Sequence, residues 1–207
     1  MKKSKLLFVA TASLIAFAVW TLAVCTVDVR KIGPMSTSVG FGAINGYVHA
    51  LTGVNMSLYA LTDFLGLVPI GTAFCFFVIG LVQLIKRKSI ARVDRDLLML
   101  GAIYAVTFAT FLFFECVVIN YRPVLIDGRL EASYPSSTTM LVLCVMPSSA
   151  MWLNKRIKSK AMMLCTVVFC AFMVICRFIC GVHWLSDIIG GALFGLAVTS
   201  AFAYLQP

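Results

Sequence analysis

Apolar residues run in blocks along this chain, and short polar links separate them. The blocks cover 6–25, 65–85, 97–119, 138–153, 161–180 and 188–205. A helix needs about 20 apolar residues to cross a bilayer, and most of these blocks reach that length. The fourth is the shortest and contains Pro147, which a membrane helix tolerates as a kink. The first follows a basic start at 1–5; it is full span length and no small-x-small cleavage site follows, so it reads as an uncleaved helix. Between the first two blocks, 28–63 mixes Gly33-Pro34, Gly40, Gly42 and Gly46 with apolar residues, the pattern of a loop carrying one or two short helices on the membrane surface. The pattern predicts an all-α fold: a polytopic membrane protein, built as a six-transmembrane helical bundle with short extracytoplasmic surface helices, in one domain over 1–207.

Composition agrees with this reading. The 207 residues are 61% hydrophobic and only 12% charged, against roughly 45–50% and 25% in soluble domains. Charge placement then orients the bundle. Lys2, Lys3, Lys5, Lys86, Arg87, Lys88, Arg92, Arg95, Lys155, Arg156, Lys158 and Lys160 make twelve of the 17 basic residues, all in 1–5, 86–96 and 154–160. The other five, Arg30, Lys31, Arg122, Arg129 and Arg177, fall on the opposite side with six of the 8 acids. This positive-inside pattern predicts cytoplasmic termini and a plasma-membrane protein. It also accounts for the net charge of +9 without a nucleic-acid partner. The 8 cysteines lie mostly inside apolar blocks and form no C-x-x-C pair, so they read as small buried hydrophobes. Gly191 and Gly195 favour close helix packing inside the bundle over dimerisation, and a homo-oligomer stays open.

Candidate chemistry gathers on the predicted outer side. The stretch 176–187 reads C-R-F-I-C-G-V-H-W-L-S-D and sets Arg177, His183 and Asp187 at the mouth of two apolar blocks. Ionisable groups are costly there and mark function by default. His183 and Asp187 are four apart, which on a helix lets the imidazole N–H meet the carboxylate and frees the other ring nitrogen as base or nucleophile. Arg177 would hold an anion. Arg122-Pro123 and Pro135-Ser136-Ser137-Thr138 come out on the same side. His49, alone in the surface loop, takes no role, and the two His lie too far apart in sequence to suggest a metal site.

The order Arg122-Pro123, Pro135–Thr138, Arg177-x5-His183-x3-Asp187 resembles the type 2 phosphatidic acid phosphatase superfamily, which includes vanadium haloperoxidases and carries K-x6-R-P, P-S-G-H and S-R-x5-H-x3-D. The resemblance implies a membrane-embedded lipid phosphatase without cofactor or metal. Arg122 and Arg177 would clamp phosphate oxygens, and Ser136 and Ser137 at the start of the fourth block would add donors. His183 would attack phosphorus, with Asp187 orienting its ring. Three positions depart from the pattern: Glu115 stands in place of the Lys, Thr138 in place of the His that protonates the leaving group, and Cys176 in place of the Ser.

Loss of the acid bears on substrate. General acid catalysis contributes about 10²–10⁴-fold, and an alkoxide leaving group needs it far more than a phosphate does. A lipid diphosphate, a polyprenyl diphosphate above all, therefore fits the remaining residues better than a monoester such as phosphatidic acid. The expected partners are such a lipid phosphate or diphosphate and the bilayer. Glu115, two helical turns before Arg122, would pair with it or read a substrate hydroxyl or amine. Two further readings stay open: a phosphotransferase that passes the phosphoryl group to another lipid, and an impaired member that binds, transports or scaffolds head groups.

Overall fold

A computed structural model of the protein describes residues 3–206. Met1 and Pro207 lie outside the described residues, as does Lys2 of the basic start. The chain is mostly helical: α1 (Lys3–Thr26), α2 (Gly42–Thr52), α3 (Met56–Leu65), α4 (Leu67–Arg87), α5 (Arg95–Cys116), α6 (Ser137–Ile157), α7 (Lys160–Ile179) and α8 (Leu185–Leu205). Two antiparallel strands, β1 (Arg30–Lys31) and β2 (Ser38–Val39), make a small hairpin before α2.

Among the described residues, five stretches are long and apolar enough to cross a membrane: α1, the combined 56–87 stretch of α3 and α4, α5, α7 and α8. Their outward faces carry bare Leu, Ile, Val and Phe, including Phe74, Phe77, Phe108, Val167 and Val168. Water does not leave such surface exposed at this density, so the chain is an integral, multi-pass membrane protein. The expected fourth span, α6, is long enough but falls outside this set. Ser137, Thr138, Thr139, Ser148, Ser149 and a charged C-terminal turn dilute its apolar content.

The dilution has a packing reason. α6 contacts α4, α5, α7 and α8, and nine of its residues are buried, Val142, Cys144 and Val145 among them. A helix sheathed by other helices need not present hydrocarbon all round. Its hydroxyls find partners inside the bundle: Ser148 donates to the Cys144 carbonyl at 2.5 Å, and Ser149 lies 2.7 Å from the Tyr104 hydroxyl. Pro147 lacks an N–H and so leaves the Leu143 carbonyl without its helical donor. Thr199 of α8 supplies one across the interface, with Oγ1 at 2.6 Å from that oxygen.

Close approach of α8 to α6 depends on its glycines. A Cβ on Gly195 would stand 2.5 Å from the Leu143 Cβ, and one on Gly191 would stand 2.9 Å from the Ser136 carbonyl oxygen. The small-residue face is spent on internal packing. α6 also runs four residues beyond the expected 153, to Ile157. Two of these residues are charged but anchored: the Arg156 guanidinium lies 3.5 Å over the Trp152 ring, and Lys155 meets Asp96 at 3.2 Å.

At the other end, α2 is a short helix within the 28–63 segment, whereas α3, expected as a second surface helix, forms part of the 56–87 stretch. Asn45 of α2 clasps the start of α8, donating to Ser186 Oγ at 2.9 Å and accepting from the Ser186 N–H at 3.2 Å. Gly66 keeps helical angles (φ −60°, ψ −20°), so α3 runs almost directly into α4.

Candidate functional site

The α5–α6 connection is a folded loop. Asp127 and Gly128 both have positive φ, 48° and 75°, the type I′ turn that Asp-Gly favours. The turn pairs Ile126 with Arg129 and Tyr121 with Ala132. Arg122 donates its N–H to the Glu131 carbonyl at 3.0 Å, and Ser133 donates to the Asn120 carbonyl at 2.9 Å. The folded loop thus sets Arg122, Asn120 and Ser133 along one edge, facing the α7–α8 connection.

That connection carries the histidine. Gly181 turns it with a φ of 68°, at a spot where a Cβ would stand 1.8 Å from the Gly53 carbonyl oxygen. Asn55 donates its N–H to the Cys180 carbonyl at 3.0 Å, docking the α2–α3 elbow on the same turn. Trp184 Nε1 donates to the Tyr121 carbonyl at 2.7 Å and ties the turn to the α5–α6 loop.

His183, Arg177, Arg122 and Asp187 are all buried, at 4%, 1%, 8% and 0% exposure. The two arginines share one aromatic face. Arg177 Cζ lies 4.7 Å and Arg122 Cζ 5.6 Å from the Tyr59 ring centroid. Arg177 also donates to Thr62 Oγ1 at 3.0 Å and lies 3.7 Å from Asp63. Arg122 Nε approaches Glu131 at 3.1 Å, too poorly aligned for a hydrogen bond. Nε and Nη1 of Arg122, Nε of Arg177 and Nε2 of His183 are buried with no hydrogen-bond partner. Such groups are expensive unless a ligand completes them.

Two expected contacts are not made. α8 begins only at Leu185, so His183 precedes the helix and its four-residue spacing to Asp187 does not bring the two side chains together. His183 Nδ1 instead lies 3.0 Å from Ser133 Oγ and 3.2 Å from the Ser133 carbonyl oxygen. Nor does Glu115 take the ion pair to Arg122; Glu131 does, and Glu115 shares a smaller pocket with Glu131 and Tyr121.

Ser136 caps α6: its Oγ accepts from the Thr139 N–H at 3.5 Å and donates to Thr139 Oγ1 at 3.0 Å, and the residue is fully buried. A phosphate-donor role would compete with that cap. Ser137 and Thr138 face an apolar cavity of about 1330 Å³ that runs between α4, α5 and α6 past Gly80 and Gly101. Cys176 is half-buried with a free thiol. Burial, reinforced by the charges of Arg122 and Arg177, holds the His183 imidazole well below its ordinary range, so it is neutral.

A buried imidazole with one unpaired nitrogen thus stands among guanidinium groups with unmet donors, at one end of a membrane-embedded helical bundle. A family model described as the PAP2 superfamily matches residues 106–207, which hold Arg122, Arg177, His183 and Asp187. The match spans just under half of the chain, and that part is similar to the superfamily. Among solved structures, the fold matches a transmembrane PAP2-type phosphatidylglycerolphosphate phosphatase from Bacillus subtilis, with a TM-score of 0.59 and 18% identity over 95% of this chain and 94% of that one. No curated protein matches the chain in sequence.

Asn120, Ser133, Tyr59, Thr62 and Glu131 belong to the site but carry no spacing that singles them out. The Asp-Gly turn is the sequence signal that the 117–136 segment folds back, and with it that Asn120 and Ser133 converge.

Proposed function

We propose that this chain is a membrane lipid phosphatase in which His183 attacks a lipid-linked phosphate or diphosphate. The observation that carries this reading is the His183 ring. The Ser133 carbonyl can only accept, and the Ser133 hydroxyl spends its proton on Asp187 Oδ2 at 2.5 Å. Both groups facing Nδ1 therefore accept from it, so Nδ1 carries the hydrogen and Nε2 keeps a free lone pair. In the first step the Nε2 lone pair forms a bond to phosphorus and the bond to the leaving oxygen breaks. Water then releases phosphate from the phosphohistidine. Arg122 and Arg177 neutralise the phosphoryl oxygens.

The lipid chain would lie in the cavity beside α4, with the phosphate at its Thr138 end. Thr138 supplies no proton to a departing alkoxide, which favours a polyprenyl diphosphate over a monoester. We place the termini and basic links in the cytoplasm, α6 as the fourth of six spans and the site on the extracytoplasmic face of the plasma membrane; the charge distribution supports this. The test is phosphate release in detergent from a polyprenyl diphosphate and from phosphatidic acid, beside His183→Ala. We expect release from the diphosphate that is lost in the variant. His183-dependent hydrolysis that prefers phosphatidic acid would overturn the substrate assignment.

One observation favours a second reading. Asp63 and Glu131 already stand beside the two arginines, and Glu115 replaces a family cation. A protein that binds a head group without cleaving it would keep the clamp and show no turnover.

A further inference from the structure

We infer that Ser133 is a positioning residue for the nucleophile, its hydroxyl joining the His183 ring to a carboxylate that the ring does not touch. The inference rests on the reading of His183 as the nucleophile.

The carboxylate has no room for the imidazole. Asp187 Oδ2 accepts from Ser133 Oγ at 2.5 Å and from the Trp184 N–H at 3.1 Å. Oδ1 accepts from Asn120 Nδ2 at 3.0 Å and from Ser186 Oγ at 3.2 Å. An ionised carboxylate offers about four acceptor positions, and four donors occupy them. Asn120 and Ser186 are braced in turn, by the Gly40 N–H at 3.4 Å from Asn120 Oδ1 and by Asn45 on Ser186. The anion is fixed, and its one link to the imidazole passes through Ser133, itself 2% exposed.

This link acts when charge appears. As Nε2 bonds to phosphorus, the leaving oxygen departs with its electron pair and the ring becomes a cation that still holds its Nδ1 proton. Ser133 Oγ then accepts more strongly from Nδ1–H and donates more strongly to Asp187, while both protons stay on their atoms. The Ser133 carbonyl orients the ring as well but conveys no charge from Asp187. Removing the hydroxyl therefore leaves the tautomer in place and takes away stabilisation of the cation.

The test compares kcat and KM for wild type, Ser133→Ala, Ser133→Thr, Asp187→Asn and the Ser133→Ala/Asp187→Asn double variant. Ser133→Ala should lower kcat about 10–100-fold, the value of one charge-assisted hydrogen bond, with KM within about threefold. Ser133→Thr, which keeps the oxygen, should recover most of it. The double variant should be no slower than the slower single, because both act along one path. Wild-type kcat in Ser133→Ala, or losses that multiply, would overturn the relay while leaving the nucleophile assignment intact. Activity surviving in His183→Ala would instead remove the nucleophile reading.

A readout independent of turnover is available because the chain has only 2 His. With His49→Gln to assign the spectrum, nitrogen-15 NMR should show His183 as the neutral Nδ1–H form. Its Nδ1 proton resonance should move upfield in both Asp187→Asn and Ser133→Thr/Asp187→Asn. An unmoved resonance in those variants overturns the relay even if the wild type proves inactive or Ser133→Ala fails to fold.

Discussion

Replacing Thr138 by His returns an acid to the position on which the proposed preference for a diphosphate rests. Thr138 is the second residue of α6, after the Ser136 cap, and lines the head of the large cavity. It is half-buried and its hydroxyl holds no other side chain, so an imidazole enters open space and breaks no bond. The gain follows from the leaving group. An alkoxide has a conjugate acid about as weak as water, whereas a phosphate leaves with a pKa of about 6. Proton donation in the transition state is worth about 10²–10⁴-fold for the first and little for the second. Thr138→His should therefore raise phosphatidic acid hydrolysis about 100-fold, the lower end of that range because no second residue orients the new ring. Diphosphate hydrolysis should stay within about threefold. The assay is phosphate release from both lipids in mixed micelles, with His183→Ala in the Thr138→His background as the blank. Equal acceleration of both substrates would show that Thr138 does not decide between leaving groups, and the argument for a diphosphate would fall.

Arg177→Lys should weaken competitive inhibition by inorganic phosphate about 10–100-fold, since an ammonium cannot reproduce a forked guanidinium held on Thr62 and Tyr59; an unchanged inhibition constant would remove Arg177 from the clamp. Thr199→Val should cost about 1 kcal/mol of stability by stripping the Leu143 carbonyl of its donor, and Pro147→Ala in the same background should restore it, both read from thermal unfolding in detergent. Stability should also fall as pH drops. His183 is held low in the folded chain while an unfolded His titrates near ~6.5, so the unfolded state takes up the proton first and the loss sets in below that value. His183→Gln should flatten that acid limb of the unfolding temperature, and a limb identical to wild type would contradict the burial of a neutral ring.

Much of the bundle is written in hydropathy. The α1, α4, α5, α7 and α8 boundaries lie within a few residues of the apolar blocks, because lipid demands a continuous apolar surface. α6 is the exception: neighbours sheath it, so its Ser and Thr are tolerated and its polar end continues as helix to Ile157. In the site, Arg122, Arg177, His183 and Asp187 are legible because family spacing fixes them. The contact between the last two is not, since the four-residue rule holds only inside a helix and α8 starts after His183. Ser133, Asn120, Tyr59 and Thr62 are single polar residues brought in by loop folding and by α3, with no period to reveal them.

The joint at Gly66 couples α3 to α4 with no loop between them. The 56–87 stretch is 32 residues long, about 48 Å of helix at 1.5 Å per residue, against about 30 Å of hydrocarbon. Its first helix carries Tyr59 and Thr62 against the arginines, and at its far end Arg87 pairs with Asp94 at 2.9 Å. A bilayer that changes the tilt of this stretch is therefore expected to move Tyr59 and Thr62 against Arg177, and phosphate inhibition measured in short-chain and long-chain lipids would read the change.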